Sequence, residues 1–91
     1  MKEKEKERIL KALANRRRLA IIGIFRKEKE KSVGEIAESI KLSFRATSKH
    51  LSILVNVDIL EKEQRGLQVF YSLDKNAPDT VKQLLRILFI V

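Results

Sequence analysis

The residues whose types and spacing are most suited to binding a ligand lie in one short stretch that is rich in hydroxyl and cationic side chains. Arg45, Ser48 and Lys49 are spaced i, i+3 and i+4, so they share one face if the stretch is helical. No acidic residue occurs between Ser39 and Val57. Guanidinium and ammonium groups bind phosphate oxygens, and the arginine fork also pairs with base edges. The stretch therefore predicts a surface that approaches a polyanion.

The composition favours an acidic partner and excludes several kinds of chemistry. The 91 residues include 20 Lys and Arg against 12 Asp and Glu, a formal net charge of +8. With no cysteine, the chain has no disulfide, thiolate metal site or cysteine nucleophile. His50 is the only histidine and no glycine-rich phosphate loop is present, so we expect neither an enzyme nor a bound metal or cofactor. Nucleic acid is the first candidate partner and a membrane surface the second. The abundance of Lys and Glu also leans toward a thermophilic source.

A helix–turn–helix is the element that would position this surface. Ser32 followed by Glu35 is a capping-box pattern, which predicts a helix from Val33 onward. Ser43 is a suitable N-cap for a second helix, so the helix–turn–helix covers about residues 33–56. Earlier in the chain, the spacing of apolar residues predicts a helix over about residues 3–14. A potential N-cap at Asn15 predicts a second helix over about residues 16–27, and a charged loop at residues 28–31 connects it to the helix that begins at Val33.

The hydrophobic period changes to two after the helix–turn–helix. Residues 59–64 are predicted as a strand, Arg65 and Gly66 as a turn, and residues 67–73 as a half-buried strand with Leu67 on its apolar face. A hairpin directly after a helix–turn–helix is a wing, here about residues 59–73. The predicted fold is a mainly α, small α+β winged helix-turn-helix, in which a two-stranded hairpin accompanies the helices. One domain over residues 1–91 accounts for the whole length.

The first and last helices, about residues 3–14 and 78–91, are predicted to form a dimer interface. The last helix is apolar nearly all round, and a chain this small cannot cover that surface by itself. The candidate contacts are Leu10, Leu13, Val81, Leu84, Leu85 and Leu88. A last helix folded onto its own core is the alternative. No stretch has the roughly 18 apolar residues of a membrane span, and the charged start is no secretory signal, so we expect a cytoplasmic protein.

Three segments in this order resemble the ArsR-type winged-helix repressors. Residues 13–22 (LANRRRLAII) resemble the family's opening LADPTRLRIL, and residues 47–54 (TSKHLSIL) are similar to its recognition-helix pattern VSxHLxxL. Residues 66–73 (GLQVFYSL) resemble the wing-strand pattern GRxxYYxL. The resemblance covers about residues 7–90. It implies a homodimer built on the first and last helices that binds a palindromic operator and represses transcription.

The chain departs from the family pattern where many members bind metal. Ser32 stands where the ELCVxDL segment of such members has its cysteine. The last helix (residues 79–86, DTVKQLLR) has one acid and no histidine where other members have Asp and His ligands. The comparison with the family therefore predicts no metal site and no metal sensing, and leaves any small-molecule effector unidentified. Lys41 replaces the usual glycine of the turn, and Thr47 replaces the usual valine.

The function predicted from these observations is a sequence-specific DNA-binding transcription regulator. We expect Arg45, Ser48 and Lys49 to read bases in the major groove of double-stranded DNA. Lys41 and Ser43 would position the helix on phosphate. The expected contacts of the wing with the backbone or minor groove are Lys62, Gln64 and Arg65. The alternatives are a winged helix that docks protein in a larger assembly, and a non-specific DNA-binding protein.

Three other residues in these segments have open roles. Phe44 either contacts a thymine methyl group or closes over the turn, and packing is the favoured interpretation. His50 lies on a stripe with Ala46 and Leu54, which favours packing or hydrogen bonding at the helix edge over metal ligation. Arg18 matches the arginine of the family's opening segment, which suggests a structural role.

Overall fold

The computed structural model describes residues 1–89, which form five helices and three strands. The elements in chain order are α1 (Glu3–Leu13), α2 (Arg16–Ile24), β1 (Lys31–Ser32), α3 (Val33–Ile40), α4 (Phe44–Asn56), β2 (Leu60–Arg65), β3 (Gln68–Leu73) and α5 (Asp79–Leu88). The strands form one antiparallel sheet in the order β1–β3–β2. Helices α3 and α4 are the helix–turn–helix and strands β2 and β3 are the wing, which confirms the predicted fold. The end of the predicted last helix, residues 90 and 91, lies outside the described residues.

The sheet differs from the predicted two-stranded hairpin because β1 adds a third strand. Lys31 is paired with Tyr71, and Ser32 is paired with Phe70. A charged loop was expected at residues 28–31, but its last residue belongs to this strand. Two residues are too few to show an alternation, so no sequence pattern distinguishes β1 from a loop.

Two other predicted boundaries are corrected. Helix α2 ends at Ile24 rather than near residue 27, because the amides of residues 25–27 bond to carbonyls three residues earlier, at 3.0–3.4 Å. Leu67 lies in the turn of the wing and is fully exposed, not on the apolar face of a strand. Gly66 takes the left-handed φ of 63° in that turn, and β3 begins only at Gln68.

Side-chain caps determine where the helices around the turn begin. Oδ1 of Asn15 accepts two backbone hydrogen bonds at the start of α2. Ser32 and Glu35 exchange the two hydrogen bonds of a capping box, and the bond from the Ser32 amide lowers the pKa of the Glu35 carboxyl. Oγ of Ser43 accepts from the amide of Ala46 at 3.1 Å. All three predicted caps are confirmed, and such caps typically stabilise a protein by about 1 kcal/mol each.

One core lies beneath the helix–turn–helix and holds α4 by its inner face. Helix α4 contributes Thr47, Leu51 and Leu54, which are fully buried. The fully buried apolar side chains outside α4 are Ile21, Ile22, Ile36, Ile59, Leu60 and Val81. Burying a Leu or Ile side chain contributes about 1.5–3 kcal/mol, so the α4 contacts fix this helix firmly against the rest of the domain.

This core includes two residues that the sequence assigned to a dimer interface. Val81 is fully buried and Leu13 is 5% exposed within a single chain. Side chains already covered by their own subunit offer no surface to a partner. The predicted interface role is therefore wrong for Leu13 and Val81, whose apolar spacing serves the core.

The guanidinium of Arg18 connects three helices. Nε donates to the carbonyl of Ala12 at 2.5 Å, and Nη2 donates to the carbonyl of Lys11 at 3.1 Å. Both carbonyls lie in the last turn of α1, where no intrahelical amide remains to bond them. Nη1 lies 3.1 Å from Nδ1 of His50 on α4. Because a guanidinium only donates, Nδ1 accepts, which places the proton of a neutral ring on Nε2. The expected hydrogen-bonding role of His50 and structural role of Arg18 are confirmed.

Protonation of His50 is predicted to weaken the fold. Burial lowers the pKa of His50 below its ordinary 6.5, and the charges of Arg18 and Arg17 lower it further. A base with a depressed folded-state pKa stabilises the fold above its unfolded-state pKa, and this contribution is lost as the pH falls through the folded-state pKa. We expect an NMR titration of the single imidazole to give a pKa below 6.5, and the free energy of unfolding to fall from neutral pH to about pH 5. In Arg18→Gln the pKa of His50 should rise, because the nearby positive charge is removed. A pKa of His50 at or above 6.5 in the wild-type protein would contradict the hydrogen bond that Nδ1 of His50 accepts from Arg18.

The buried hydroxyl of Thr47 provides a second prediction about the stability of the core. Its side chain is fully buried, and Oγ1 has no hydrogen-bond partner among residues 1–89. Valine has the same shape without the unsatisfied hydroxyl, so Thr47→Val should raise the free energy of unfolding by about 1 kcal/mol in urea denaturation. Thr80→Val is the matched control, because Thr80 is exposed and should change stability little. A loss of stability in Thr47→Val would show that the hydroxyl is satisfied in solution.

Candidate nucleic-acid interface

Helix α4 presents one polar surface to solvent. Arg45, Lys49, Ser52 and Asn56 are exposed at i, i+4, i+7 and i+11, and Ser48 is half-buried at their edge. We call these five residues the α4 stripe. It contains two cations and no acid, and it lies opposite the buried side of the helix. A single helix of this kind fits the major groove of DNA, where arginine, lysine and serine bond to base edges.

The turn before α4 brings the two predicted phosphate contacts to the start of the stripe. Lys41 ends α3 in the left-handed conformation, with φ 55° and ψ 51°. A non-glycine residue in this conformation costs about 1–2 kcal/mol. The next residue closes the helix, since the amide of Leu42 bonds to the carbonyl of Ala37 at 3.0 Å. Lys41 and Ser43 are both exposed at the N-terminal end of α4, where the helix dipole favours an anion.

Phe44 does not pack over the turn, so the favoured interpretation was wrong. It is the first residue of α4, and 63% of it is exposed. Ile40 and Leu42 are half-buried at the corner instead. An exposed aromatic ring at the N-terminal end of a helix–turn–helix recognition helix is in the region from which such helices contact bases. The sequence identified the residue but not its exposure, which depends on how the corner is filled.

The two faces of the wing differ in charge. Lys62 and Gln64 alternate with acidic residues along β2, so they lie on the face opposite Glu61 and Glu63. Lys62 pairs directly with Tyr71, whose side chain is buried, so Lys62 and Gln64 are on the same side of the sheet as the core. Of the predicted wing contacts, these two lie on the face without acids.

Arg65 lies on the acidic face of the wing and is engaged within the chain. Its Nη2 donates to Oε2 of Glu30 at 2.6 Å, and its Nε lies 3.5 Å from Oε1 of Glu63. The guanidinium carbon also lies 4.1 Å from the centre of the Phe70 ring. The hydrogen bond that Arg65 donates to Glu30 raises the pKa of Arg65 above its ordinary value. No sequence signal links Arg65 to Glu30, because the two residues are 35 positions apart. The structure thus separates Arg65 from Lys62 and Gln64, with which the sequence grouped it.

Helices α1 and α5 expose large apolar side chains to solvent. Leu10 is 56% exposed, Leu88 is 50% exposed and Ile87 is 70% exposed. Leu84 and Leu85 are half-buried and pack against the core. Among the predicted interface residues, Leu10 and Leu88 therefore offer the most accessible apolar surface.

The described residues contain neither a cluster of metal-ligating side chains nor a helix that could span a membrane. Within residues 1–89, no three His, Cys, Asp or Glu side chains are grouped where they could hold a metal ion. No helix of this part of the chain is long and apolar enough to cross a membrane.

Comparison with known proteins gives a family match over the helix–turn–helix. The family described as "Bacterial regulatory protein, arsR family" matches residues 15–62, from the N-cap of α2 into β2. The transcriptional activator HlyU of Vibrio cholerae is 35% identical over 81 residues, which cover 89% of this chain and 74% of HlyU. A homolog of the cadmium resistance transcriptional regulatory protein CadC from Staphylococcus aureus is 34% identical over 83 residues, covering 91% of this chain and 66% of the homolog.

Solved structures agree with the sequence matches. HlyU of Vibrio cholerae superposes with a TM-score of 0.80 at 32% identity, covering 97% of this chain and 94% of that structure. The homodimeric winged helix-turn-helix DNA-binding domain Mb0332 of Mycobacterium bovis, described as a possible ArsR-family regulator, has a TM-score of 0.79 at 27% identity. That match covers 93% of this chain and 75% of the other. The resemblance found in the three sequence segments is confirmed, and the chain belongs to the arsR family of bacterial regulatory proteins.

Proposed function

We propose that this protein is a homodimeric, sequence-specific transcription regulator that represses its target genes by occupying a palindromic operator. The observation that carries the proposal is the α4 stripe, an acid-free, cationic helix surface on the helix–turn–helix of an arsR-family chain. A stripe of this composition gains affinity from phosphate neutralisation and specificity from base edges.

Each residue at the N-terminal end of α4 has a separate role in this proposal. Arg45 donates two hydrogen bonds to a guanine, the base edge that fits its fork. Ser48 and Lys49 contact the next bases along the groove. The exposed ring of Phe44 contacts a thymine methyl group, which removes apolar surface of both partners from water.

Phosphate contacts hold this helix in register. Lys41 and Ser43 bind the backbone beside the N-terminus of α4, and Lys62 and Gln64 bind it from the acid-free face of the wing. Arg65 has a different role from the one expected from the sequence. Its contacts with Glu30 and Phe70 brace the wing against the loop before β1, so it acts on DNA binding through the position of Lys62.

The dimer in this proposal forms through the exposed apolar side chains of α1 and α5. Leu10, Ile87 and Leu88 leave a single chain with uncovered apolar surface, and the similar Mb0332 domain is homodimeric. A symmetric dimer whose recognition helices lie about 34 Å apart places both in successive major grooves on one side of the duplex.

The regulator does not sense metal through a cysteine site in this proposal. The S. aureus relative is named for cadmium resistance, but the present chain contains no cysteine and has Ser32 in the segment where family members have a ligand. Soft metal ions such as cadmium prefer thiolate ligands, so we expect DNA binding to be insensitive to them.

The proposal is tested by selecting duplexes from a random library with the purified protein. Fluorescence anisotropy then compares the selected duplex with a shuffled one at low and near-physiological salt. We expect a palindromic consensus whose affinity exceeds that of the shuffled duplex by about 10³-fold or more at physiological salt. Equal affinities that collapse together as salt rises would leave only non-specific attraction and refute the proposal. A reporter gene behind the selected site should be repressed, and stimulation would instead indicate an activator.

Arg45→Ala tests base reading by the α4 stripe. We expect a loss of about 1–3 kcal/mol on the selected duplex and relaxed specificity at one base pair, since a bidentate guanine contact is removed. Replacing that guanine by 7-deazaguanine, which lacks the N7 acceptor, should weaken wild-type binding but not Arg45→Ala binding. Arg26→Ala removes the same charge outside the stripe and is the control. Equal losses for Arg45→Ala on selected and shuffled DNA would contradict the base-reading role.

Leu88→Glu tests the dimer. A carboxylate at this half-exposed apolar position should shift the protein to monomer in sedimentation-velocity measurements and weaken binding to the full palindrome while binding to one half-site remains. Leu67→Glu is the matched control for association, because Leu67 is fully exposed at the tip of the wing. A dimer that survives in Leu88→Glu and in Leu10→Glu would place the interface elsewhere.

A protein-docking winged helix is the second candidate, and the exposure of Phe44 and Ile53 on α4 favours it. These two apolar side chains would bury well in a protein groove. The same experiments decide between the two functions. If no duplex is enriched in the selection and Phe44→Ala abolishes capture of one partner from the source organism, docking replaces DNA reading.

A further inference from the structure

A cleft on the side of the molecule formed by α2, the end of β3 and α5 is not used by the proposed DNA contacts. Its volume is about 490 Å³, within the range of small-molecule sites. The floor consists of large apolar side chains, namely Ile22, Leu73, Leu85 and Phe89. None of the residues that line the cleft belongs to the α4 stripe or to the acid-free face of the wing tip.

The rim of the cleft is entirely cationic. Arg26 lies in the turn that follows α2, and Lys82 and Arg86 lie on α5. No acidic residue lines the cleft. Among residues 1–89, none of these three cations forms an ion pair with a carboxylate. Three uncompensated positive charges around an apolar floor match a ligand with one anionic group and an aliphatic body.

The spacing on α5 strengthens this match. Lys82, Leu85, Arg86 and Phe89 follow each other at i, i+3, i+4 and i+7, so they share one side of the helix. Like charges at i and i+4 destabilise a helix by a few tenths of a kcal/mol, and a bound anion would relieve that repulsion. The outward apolar residues Ile87 and Leu88 lie at other positions around α5 than these four residues.

We propose that this cleft binds a small amphiphilic anion of the alkyl carboxylate class. The carboxylate lies between Arg26, Lys82 and Arg86, and the aliphatic chain lies on the floor against Leu73 and Leu85. Both parts of the ligand are needed. A short carboxylate lacks apolar area to bury, and an alcohol of the same chain length leaves the rim charges uncompensated. The assignment of Leu85 to a dimer interface is replaced by a place in this site. The proposal does not depend on DNA binding.

Isothermal titration calorimetry of the full chain with decanoate, below its micelle-forming concentration, tests the site. Acetate, decanol and decylammonium serve as comparison ligands. We expect saturable one-to-one binding per chain for decanoate and at least tenfold weaker binding for the other three, about 1.4 kcal/mol. If decylammonium binds as well as decanoate, the rim does not recognise an anionic group, the proposal is overturned and only a non-specific apolar surface remains.

Two double variants distinguish the effect of the rim cations from the effect of the net charge of the protein. Arg26→Gln with Arg86→Gln should weaken decanoate about tenfold, because two partly exposed charge contacts are lost. Lys2→Gln with Lys4→Gln removes the same charge at the start of α1 and should leave the affinity unchanged. All four positions are exposed, so both variants should fold, which circular dichroism checks. Equal affinity of the two variants would overturn the proposal.

The location of the ligand is tested by the amide shifts of the wild-type protein. Decanoate should shift the amides of Ile22, Leu73 and Leu85 most. Largest shifts near Leu10 and Leu88 would place it on the apolar surface of α1 and α5 and refute the site. Binding to the Leu88→Glu monomer but not to the wild-type dimer would also refute it, because a second copy of the chain would then occupy the cleft.

Discussion

The arrangement of this molecule depends on the hydrogen bonds of one guanidinium, that of Arg18. It satisfies two carbonyls at the open end of α1 and donates to the ring of His50 on α4. A second arginine acts in parallel, since Nη2 of Arg8 donates to the carbonyl of Asn56 at the end of α4 at 3.2 Å. Helix α1, the proposed dimer helix, is therefore connected by hydrogen bonds to α4, the proposed DNA-contacting helix. In the proposed dimer, these bonds would connect the pairing helix of each chain directly to its DNA-contacting helix.

The region around the turn sacrifices local stability in several places. Lys41 occupies a left-handed conformation that suits glycine, the hydroxyl of Thr47 is buried without a partner, and the ring of Phe44 faces solvent. In natural proteins, departures from local rules concentrate where function requires them. Lys41 and Phe44 fit that pattern, because charge and apolar surface are placed at the end of α4 that would meet DNA. For Thr47 we find no such role, and valine would suit the position better.

The charged side chains of the wing are separated between its two faces, and this separation bears on which face a duplex can approach. Glu61 and Glu63 lie on one face together with Arg65 and its partner Glu30, and Lys62 and Gln64 lie on the other. A wing with acids on both faces would be repelled by a duplex from either side. With this separation, Lys62 and Gln64 lie on a face of the wing that carries no acid and would not repel a duplex.

The features that could be predicted from the sequence are those that depend on residues close together in the chain. The caps at Asn15, Ser32 and Ser43 were recognisable because a capping residue acts within three positions, and the start of α4 followed from the cap at Ser43. Features that depend on distant segments were not recognisable. The pairing of β1 with β3 and the bond between Arg65 and Glu30 join residues far apart in the chain. The same limit explains Leu13 and Val81, because apolar helical spacing does not distinguish a core from an interface.

We infer that the α4 stripe and the acid-free face of the wing together form the DNA surface. Backbone amide NMR of the protein titrated with its selected duplex at near-physiological salt tests it most directly. We expect the largest shifts at residues 41–52 with a second group at Lys62 and Gln64, and small shifts at Glu28 and Glu30. Largest shifts on the acidic face of the wing or along α5, with α4 unchanged, would contradict it.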